Sequence, residues 1–274
     1  MNSSLKIKLD QRSKYLRSLV VRSLIGGGRG HMGSAMSLIE MLRVLYDDIV
    51  KFNSSNPLKN DRDRVILSKG HGCLALYAIL ADKGFFKKKE LDNASKLNSI
   101  LGGHPESFKV RGVEASTGAL GHGLGIAVGM AIAAKIKKQK HKIFVILGDG
   151  EINEGSIWEA ALSASKHKLG NLKILLDYNK IQSYGPVKEV LNLEPLKDKW
   201  SSFGFDVSEI NGHNIKELKV NLKKFVKSKK EIPSITICNT IKGKGFYFAE
   251  NNPKWHHRNS FSDKEILEFN KCLK

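Results

Sequence analysis

An aspartate lies between two glycines, Gly148-Asp149-Gly150, directly after the run 142–147, which reads Lys-Ile-Phe-Val-Ile-Leu. Such a run is typical of a strand covered on both faces of a parallel sheet, and glycine tolerates the backbone angles of a tight turn at its end. The Asp149 carboxylate can therefore approach a cation without obstruction. Mg²⁺ usually binds one or two protein oxygens together with phosphate oxygens and water. The pattern favours a site for a metal and the diphosphate of a cofactor.

A second metal ligand is expected at the end of a neighbouring strand. Asn179 follows the apolar strand 172–176 and lies thirty positions after Asp149 (179 − 149). Its side-chain oxygen and the backbone carbonyl of Ile181 could both reach the ion. An isolated Gly-Asp-Gly would more often be a simple turn, but the strand and the spaced asparagine favour the metal site. The competing dinucleotide site is disfavoured, because 118–125 lacks GxGxxG spacing and follows no strand.

Strand and helix patterns alternate along the chain. Strands are predicted at 65–67, 142–147, 172–176, 205–210 and 234–239, with helices at 9–24, 38–50, 73–83, 157–166 and 215–226 and a glycine-rich loop at 26–33. This alternation indicates one α/β domain over 1–274, with a doubly wound, mostly parallel sheet and helices on both faces. Ligands in such sheets bind beyond the carboxyl ends of the strands, where the glycine-rich loops fall.

The formal net charge is +19, which by itself would suggest a nucleic-acid or anionic partner. Lysine supplies most of it, with 37 Lys against 9 Arg, whereas base and phosphate recognition favours arginine. The lysine runs fall on polar faces or at element ends. We expect solvated surfaces and no nucleic-acid partner, and the excess charge can draw anionic substrates inward.

The remaining composition predicts a cytoplasmic protein. Cys73, Cys238 and Cys272 form no CxxC pair, which fits a reducing compartment rather than a disulfide frame or zinc site. Residues 1–10 contain no apolar signal core. The apolar segment 120–134 is too short to span a membrane, and its glycines at four-residue spacing predict a buried, closely packed helix that could lie at a subunit interface.

Along nearly its whole length the chain resembles the amino-terminal, diphosphate-binding domain of transketolases, which are thiamine diphosphate enzymes. GDG followed about thirty residues later by Asn is the general signature of these enzymes. The segments DRDRVILSKGHG, GGHPE, STGALGHGLGIAVGMA and GDGEINEGSIWEA resemble transketolase in particular. The resemblance implies the thiamine diphosphate-binding fold, thiamine diphosphate as the cofactor, and Mg²⁺, Ca²⁺ or Mn²⁺ as its metal.

The resemblance also implies three sets of site residues. The metal ligands would be Asp149, Asn179 and the carbonyl of Ile181. The cofactor would contact His71, Gly118, Leu120, Gly148, Asp149, Gly150, Glu151, Asn179 and Ile181. The catalytic set would be His31, His71, His104, Glu154 and His256, with the first three lining the thiazolium and donor sugar and His256 handling the substrate. Imidazoles suit this work, because near neutral pH they can bind sugar hydroxyls and transfer protons.

Glu154 has two interpretations. It resembles the family's interface glutamate, which links the two cofactor sites of a dimer. Locally it could equally cap the helix that starts near Gly155, where an acidic side chain is favourable. His122 and His213 match family loops less directly and are expected to be structural.

The sequence departs from the family in two places. The loop after the metal ligands reads Ser183-Tyr184-Gly185 instead of Ile-Asp-Gly or similar. After His256, the expected glycine is replaced by His257 and the usual proline is missing. His257 could therefore take the place of His256, and the usual substrate is in doubt.

Nothing in the 274 residues resembles the family's second domain, which carries the glutamate that activates the aminopyrimidine. We therefore predict a split transketolase that moves a two-carbon ketol unit from a ketose or its phosphate to an aldose or its phosphate. A separate partner chain would supply the pyrimidine-binding domain in an α2β2 assembly. The alternatives are an acyloin synthase or specialised sugar-modifying ketol transferase, and a non-catalytic binding subunit. Intact Asp149, Asn179 and Glu154 argue against the last.

Overall fold

Five strands form one sheet in a computed structural model that describes residues 7–183 and 185–274. The strands are β1 (Arg64–Leu67), β2 (Ile143–Gly148), β3 (Leu172–Tyr178), β4 (Asp206–Asn211) and β5 (Ser234–Asn239). Their order in the sheet is β1-β2-β3-β5-β4, and each of these neighbouring pairs is parallel. The predicted doubly wound, mostly parallel α/β fold is confirmed. Tyr184, in the loop that departs from the family, lies outside the described residues.

Helices cover both faces of this sheet. They are α1 (Gln11–Gly27), α2 (Met32–Met36), α3 (Ile39–Val44, continued by a wider turn at Leu45–Ile49), α4 (Cys73–Asp82), α5 (His122–Ile136), α6 (Gly155–Lys166), α7 (Val187–Val190), α8 (Leu196–Ser202), α9 (Ile215–Lys227) and α10 (Asp263–Leu273). Alternate strand residues point to opposite faces, so Phe144 and Ile146 join a core with α1 to α4, α9 and α10. Val145 and Leu147 join a second core with α5 and α6.

Strand register brings the predicted loops to one edge. β2 and β3 are buried along their whole length, as their apolar composition predicts. Gly148 at the end of β2 pairs with Asp177 in β3, and Tyr178 pairs with Asn239 at the end of β5. The loops that follow these three strands therefore start at nearly the same level of the sheet.

The predicted glycine-rich loop 26–33 is shorter than expected, because α1 extends to Gly27 and α2 begins at Met32. Gly33 is a packing residue of α2 instead of a loop residue. A Cβ atom there would lie 3.1 Å from the Trp255 carbonyl oxygen and 3.1 Å from the Lys242 side chain. Glycine thus permits α2 to approach the segment that follows β5.

Helix α5 is only half buried, which corrects the prediction of a buried helix. Leu124, Ala127 and Ala131 pack into the second core, whereas Ile126 is 37% exposed. A Cβ atom added at Gly125 or Gly129 would meet nothing within 4 Å. The face of α5 that carries Gly125 and Gly129 is therefore open to solvent in this chain. No helix within 7–183 and 185–274 is long and apolar enough to cross a membrane.

The carboxyl-terminal helix α10 had not been predicted. Ser262 accepts a hydrogen bond from the Glu265 backbone N–H, and the Glu265 side chain accepts one from the Ser262 backbone N–H. This capping box satisfies two backbone donors at the start of α10. Its Ser-x-x-Glu spacing was available in the sequence as a signal.

Candidate active site

Eleven of the thirteen predicted site residues line one pocket at the carboxyl edge of the sheet. They are His31, His71, Gly118, Leu120, Gly148, Asp149, Gly150, Glu151, Asn179, Ile181 and His256. His104 lies beside the pocket, with its ring centroid 6.3 Å from that of His31. Glu154 is exposed and does not line the pocket. Residues from loops far apart in the chain therefore meet where a cofactor is expected.

The predicted metal ligands lie together at the bottom of this pocket. Asp149 is 3% exposed and Asn179 is 5% exposed. The two Asp149 oxygens accept hydrogen bonds from the backbone N–H groups of Gly150 at 2.8 Å and Lys180 at 2.5 Å. Asn179 Oδ1 accepts from the Ile181 N–H at 3.1 Å. These contacts fix the two loops that carry the three ligand oxygens, the one after β2 and the one after β3.

The chemistry of these donors fits a magnesium-diphosphate pair. The described residues contain no group of three or more His, Cys, Asp or Glu side chains able to hold a metal. An ion here would have one carboxylate, one amide oxygen and one carbonyl oxygen, and phosphate oxygens would have to complete its shell. Burial, followed by the charge of Asp177, raises the pKa of Asp149 to about 6. A cation at this carboxylate would offset both effects.

Asp177 is a central residue of the site that sequence reasoning missed. It is fully buried and accepts hydrogen bonds from the side chains of Lys69, Ser37, Thr240 and Asn179. Burial raises its pKa, but Lys69 and the two hydroxyls outweigh burial and hold the pKa below its usual value. The bond from Asn179 Nδ2 turns the amide so that Oδ1 faces the Ile181 N–H. Asp177 therefore orients a predicted metal ligand.

Two buried lysines, also missed from the sequence, bring positive charge to the pocket. Lys69 and Lys242 both line it and are 1% and 2% exposed. Lys242 Nζ donates to the carbonyl oxygens of Ile181 at 2.9 Å and Gln182 at 3.2 Å. Burial and then the charge of Lys69 lower the pKa of Lys242 to about 8. Lys69 already has Asp177 as its counter-charge, so a bound diphosphate would chiefly compensate Lys242.

A cluster of imidazoles lies above the ligands. The His31 ring centroid is 5.4 Å from that of His71, 5.3 Å from that of His256 and 4.4 Å from that of His257. Burial, followed by the charge of His257, lowers the pKa of His31 to about 4. Burial and then Lys242 lower the pKa of His256 to about 3, and burial and then Lys69 lower the pKa of His71 well below 6.5. These three rings are neutral at pH 7.

Both His256 and His257 belong to this cluster. His256 lines the pocket, and its Nδ1 is buried without a hydrogen-bond partner among the described residues. His257 does not line the pocket, but its ring is the nearest of the four to His31. The substitution of histidine for the expected glycine thus adds a ring beside the predicted catalytic ones.

The two predicted glutamates have different surroundings. Glu151 is buried and accepts hydrogen bonds from the Gly148 and Gly121 N–H groups, at 3.0 and 3.1 Å, and from Ser68 Oγ at 2.5 Å. Its carboxylate therefore holds three loops together. Glu154 occupies the N-cap position of α6, but its side chain makes no capping hydrogen bond. The capping interpretation is therefore right about the position of Glu154 at the start of α6, but its exposed side chain satisfies no backbone N–H group there.

His213 has the structural surroundings that we predicted. Its Nδ1 lies 2.8 Å from Glu40 Oε2, and its Nε2 accepts from the Ile241 N–H at 2.8 Å. Glu40 also pairs with the buried Arg17. Burial raises the pKa of Glu40, but Arg17 and His213 hold it well below its usual value. His122 is exposed, and its Nδ1 lies 3.0 Å from the Leu120 carbonyl oxygen.

An aspartate, an asparagine and a carbonyl at the edge of a parallel sheet, below neutral histidines, define a cofactor domain of the thiamine diphosphate class. The family described as "Transketolase, thiamine diphosphate binding domain" matches residues 9–273. The chain belongs to this family, and the predicted resemblance is confirmed.

Relatives refine this assignment. The chain is 41% identical to an apulose-4-phosphate transketolase subunit of Phocaeicola vulgatus, over 91% of this chain and 88% of that protein. It is 40% identical to a 6-deoxy-6-sulfo-D-fructose transketolase subunit of a Clostridium species, over 93% of this chain and 92% of that protein. The predicted similarity to amino-terminal transketolase subunits is thereby confirmed.

Solved transketolases have the same fold. The Campylobacter jejuni transketolase superposes with a TM-score of 0.88 and 33% identity, covering 100% of this chain and 43% of that one. The Leishmania mexicana transketolase superposes with a TM-score of 0.89 and 29% identity, covering 97% of this chain and 42% of that one. The chain thus spans about two fifths of the length of these solved transketolases.

Proposed function

We propose that this chain is the diphosphate-binding subunit of a two-chain transketolase. With a partner chain that carries the pyrimidine-binding domain, it would move a two-carbon ketol unit from a ketose to an aldose. The observation that carries the proposal is the convergence of eleven predicted residues in one pocket, with the metal loop at its bottom. The relatives named as transketolase subunits support the two-chain arrangement.

Asp149, Asn179 and the Ile181 carbonyl would hold the divalent metal, for which Mg²⁺ is our first expectation. Lys69 and Lys242 are buried cations beside these ligands and would neutralise diphosphate oxygens. Thiamine diphosphate, when bound, supplies the electron sink for cleavage and formation of a carbon–carbon bond. The apolar side chain of Leu120 and the glycines 118, 148 and 150 would leave room for the cofactor.

The histidines would act on the sugar. His31, His71 and His256 are neutral at pH 7 because burial depresses each pKa. A neutral imidazole can accept a proton at one nitrogen and donate one at the other. These rings can therefore bind the hydroxyls of a ketose and move protons between substrate oxygens and water. His104, beside His31, would extend this set.

The exposed groups would meet the partner chains. The Glu154 side chain forms no hydrogen bond within the described residues, and its own Cβ would lie 2.7 Å from a Cβ atom added at Gly121. Glu154 is therefore close to the start of α5. With the open face of that helix, it would form part of the interface in an α2β2 assembly. The free cysteines support a reducing compartment and hence the cytoplasm as its location.

A specialised ketol transferase is the second candidate. The relatives' names specify apulose 4-phosphate and 6-deoxy-6-sulfo-D-fructose, and this chain departs from the family pattern at His257. These features favour an uncommon sugar as one substrate.

Reconstitution tests the proposal. The chain would be purified alone and together with a carboxyl-half transketolase chain from the same organism, and both samples would be assayed for ketol transfer with thiamine diphosphate and Mg²⁺. We expect transfer only by the complex, and cofactor binding that chelation of the metal abolishes. Full transfer by the single chain would contradict the two-chain arrangement. A pure complex that binds the cofactor but transfers no ketol unit among a panel of sugars would contradict transketolase activity.

A further inference from the structure

We propose that Arg29 and His257 form an anion-recognition edge at the mouth of the pocket, which selects sugars carrying a phosphate or a similar oxyanion over neutral sugars. The inference rests on the proposed function, because it assigns substrate selection to the same site. It places part of that selection on this chain and not only on a partner.

A short backbone pairing places both residues on the same face, beside His31. Gly30 and Arg258 form an isolated antiparallel bridge, with N···O distances of 2.9 and 3.0 Å. Because the pair is antiparallel, His257 lies directly opposite His31, and their ring centroids are 4.4 Å apart. Arg29 lies on the same face of the pair as these two residues, diagonally across from His257. Gly30 has a φ of 152°, and a Cβ atom there would lie 2.8 Å from Leu74 Cδ1. Only glycine fits this position without a shift, so the bridge has a defined geometry.

Exposure rises from the bottom of the pocket to this edge. Asp149 and Asn179 are buried, His31, His256 and His257 are half-buried, and Arg29 is exposed. A sugar whose reacting carbonyl lies near the cofactor would therefore direct its far end towards Arg29. A terminal phosphate on that sugar would reach the cation without being buried beneath the histidines.

Arg29 is the available arginine at this edge. It forms no hydrogen bond or ion pair within the described residues, whereas Arg258 donates to Glu265 Oε1 at 2.7 Å and lies 4.6 Å from the Trp255 ring centroid. The Arg29 charge contributes to the lowered pKa of both His31 and His257, after burial. It is thus near both rings. A guanidinium fork can bind two phosphate oxygens at once, and an imidazole N–H can donate to a third.

Acceptor specificity of the reconstituted complex tests the proposal. The KM values for the acceptors D-ribose 5-phosphate and D-ribose would be measured with one neutral donor, L-erythrulose. The ratio of the two KM values would then be compared among the unaltered complex and its Arg29→Ala, Arg29→Lys and His257→Gly variants. We expect Arg29→Ala to lower the preference for the phosphorylated acceptor about tenfold, since a hydrogen-bonded charge is lost. His257→Gly should lower it less, and Arg29→Lys should restore part of it. Lys227→Ala, at the opposite edge of the sheet, is the control for loss of one exposed cation.

An equal change in KM for both acceptors would overturn the proposal, because it would indicate general distortion of the pocket. Absence of transfer with every sugar would instead count against the proposed function, and binding would then decide this inference. With ¹³C-labelled histidine in this chain of the complex, D-ribose 5-phosphate should shift the His31 and His257 signals, and Arg29→Ala should remove the shift. Equal shifts from inorganic phosphate at the same concentration would identify a free-phosphate site and contradict sugar selection. If D-ribose 5-phosphate shifted neither histidine signal, that result would also overturn the proposal.

Discussion

The bottom and the mouth of the pocket are built in different ways. At the bottom, Asp149, Asp177 and Asn179 are buried, and each is fixed by hydrogen bonds to backbone or to side chains. At the mouth, Arg29 is exposed and His257 replaces the glycine that the family pattern predicts. Under the proposed function, the bottom is constrained by the ion and diphosphate that it would hold, whereas the mouth can adapt to the substrate. Variants at the bottom should therefore lose stability or cofactor affinity, whereas variants at the mouth should change substrate preference or the titration of His31.

Asp177→Ala should have the largest effect, and on stability. Removal of this carboxylate leaves the buried Lys69 ammonium without its counter-charge, which costs about 3–5 kcal/mol of unfolding free energy. Urea unfolding of the complex would measure it. Asp198→Ala, on the exposed face of α8, should change stability by less than about 0.5 kcal/mol. A similar unfolding midpoint for both variants would show that Asp177 does not anchor the bottom of the pocket.

Asp149→Ala should leave the fold in place and weaken the metal site. We expect a loss of at least about 100-fold in Mg²⁺-dependent affinity for thiamine diphosphate, because the only carboxylate among the predicted ligands is gone. Titration calorimetry of the complex would measure this, with Asp198→Ala as the matched aspartate control. Unchanged affinity would show that Asp149 is not a metal ligand.

Ser262→Ala should have a smaller effect, at a residue that does not line the pocket. It removes the side-chain acceptor of the α10 capping box and should cost about 1 kcal/mol of unfolding free energy. Thermal unfolding would measure it, and ketol transfer at low temperature should match that of the unaltered complex. A loss of activity without a loss of stability would indicate that α10 has a role in the site.

His257→Gly should produce the smallest change, a titration shift at the mouth. The charge of His257 contributes to the lowered pKa of His31, after burial, so its removal should raise that pKa towards 6.5. The depressed His31 pKa stabilises the fold above about pH 6.5, and this contribution is lost as the pH falls through 4. In the variant, the loss should begin at the same pH but end above pH 4 and be smaller, because the folded pKa lies closer to the unfolded value. An NMR titration of His31 would measure the shift, and an unchanged pKa would show that the two rings do not interact.

The spacing of Asp149 and Asn179 predicted the bottom of the site because one strand-helix-strand unit separates them, and parallel strands end at a common edge. The sequence did not reveal Asp177 or Lys69 as partners. Their contact joins residues 108 positions apart, and no local sequence pattern around either residue indicates this contact. Pairing across a sheet depends on strand order, which periodicity does not supply.

Two other differences between the predictions and the structure concern helix α5 and the histidine cluster. The glycines of α5 predicted close packing, but periodicity alone cannot tell a face that packs within the chain from one that stays open, as it does at Gly125 and Gly129. The capping box at Ser262 and Glu265 was a readable local signal for α10. By contrast, the position of His257 beside His31 follows from the bridge between Gly30 and Arg258, a contact between two loops with no sequence signature.

Glu151 has a consequence for how the cofactor is loaded. Its carboxylate joins Ser68 after β1, Gly148 at the end of β2 and Gly121 before α5. Because one buried side chain ties these loops, they cannot separate without breaking its hydrogen bonds. Under the proposed function, thiamine diphosphate would therefore enter from the open side of the pocket and not between these loops.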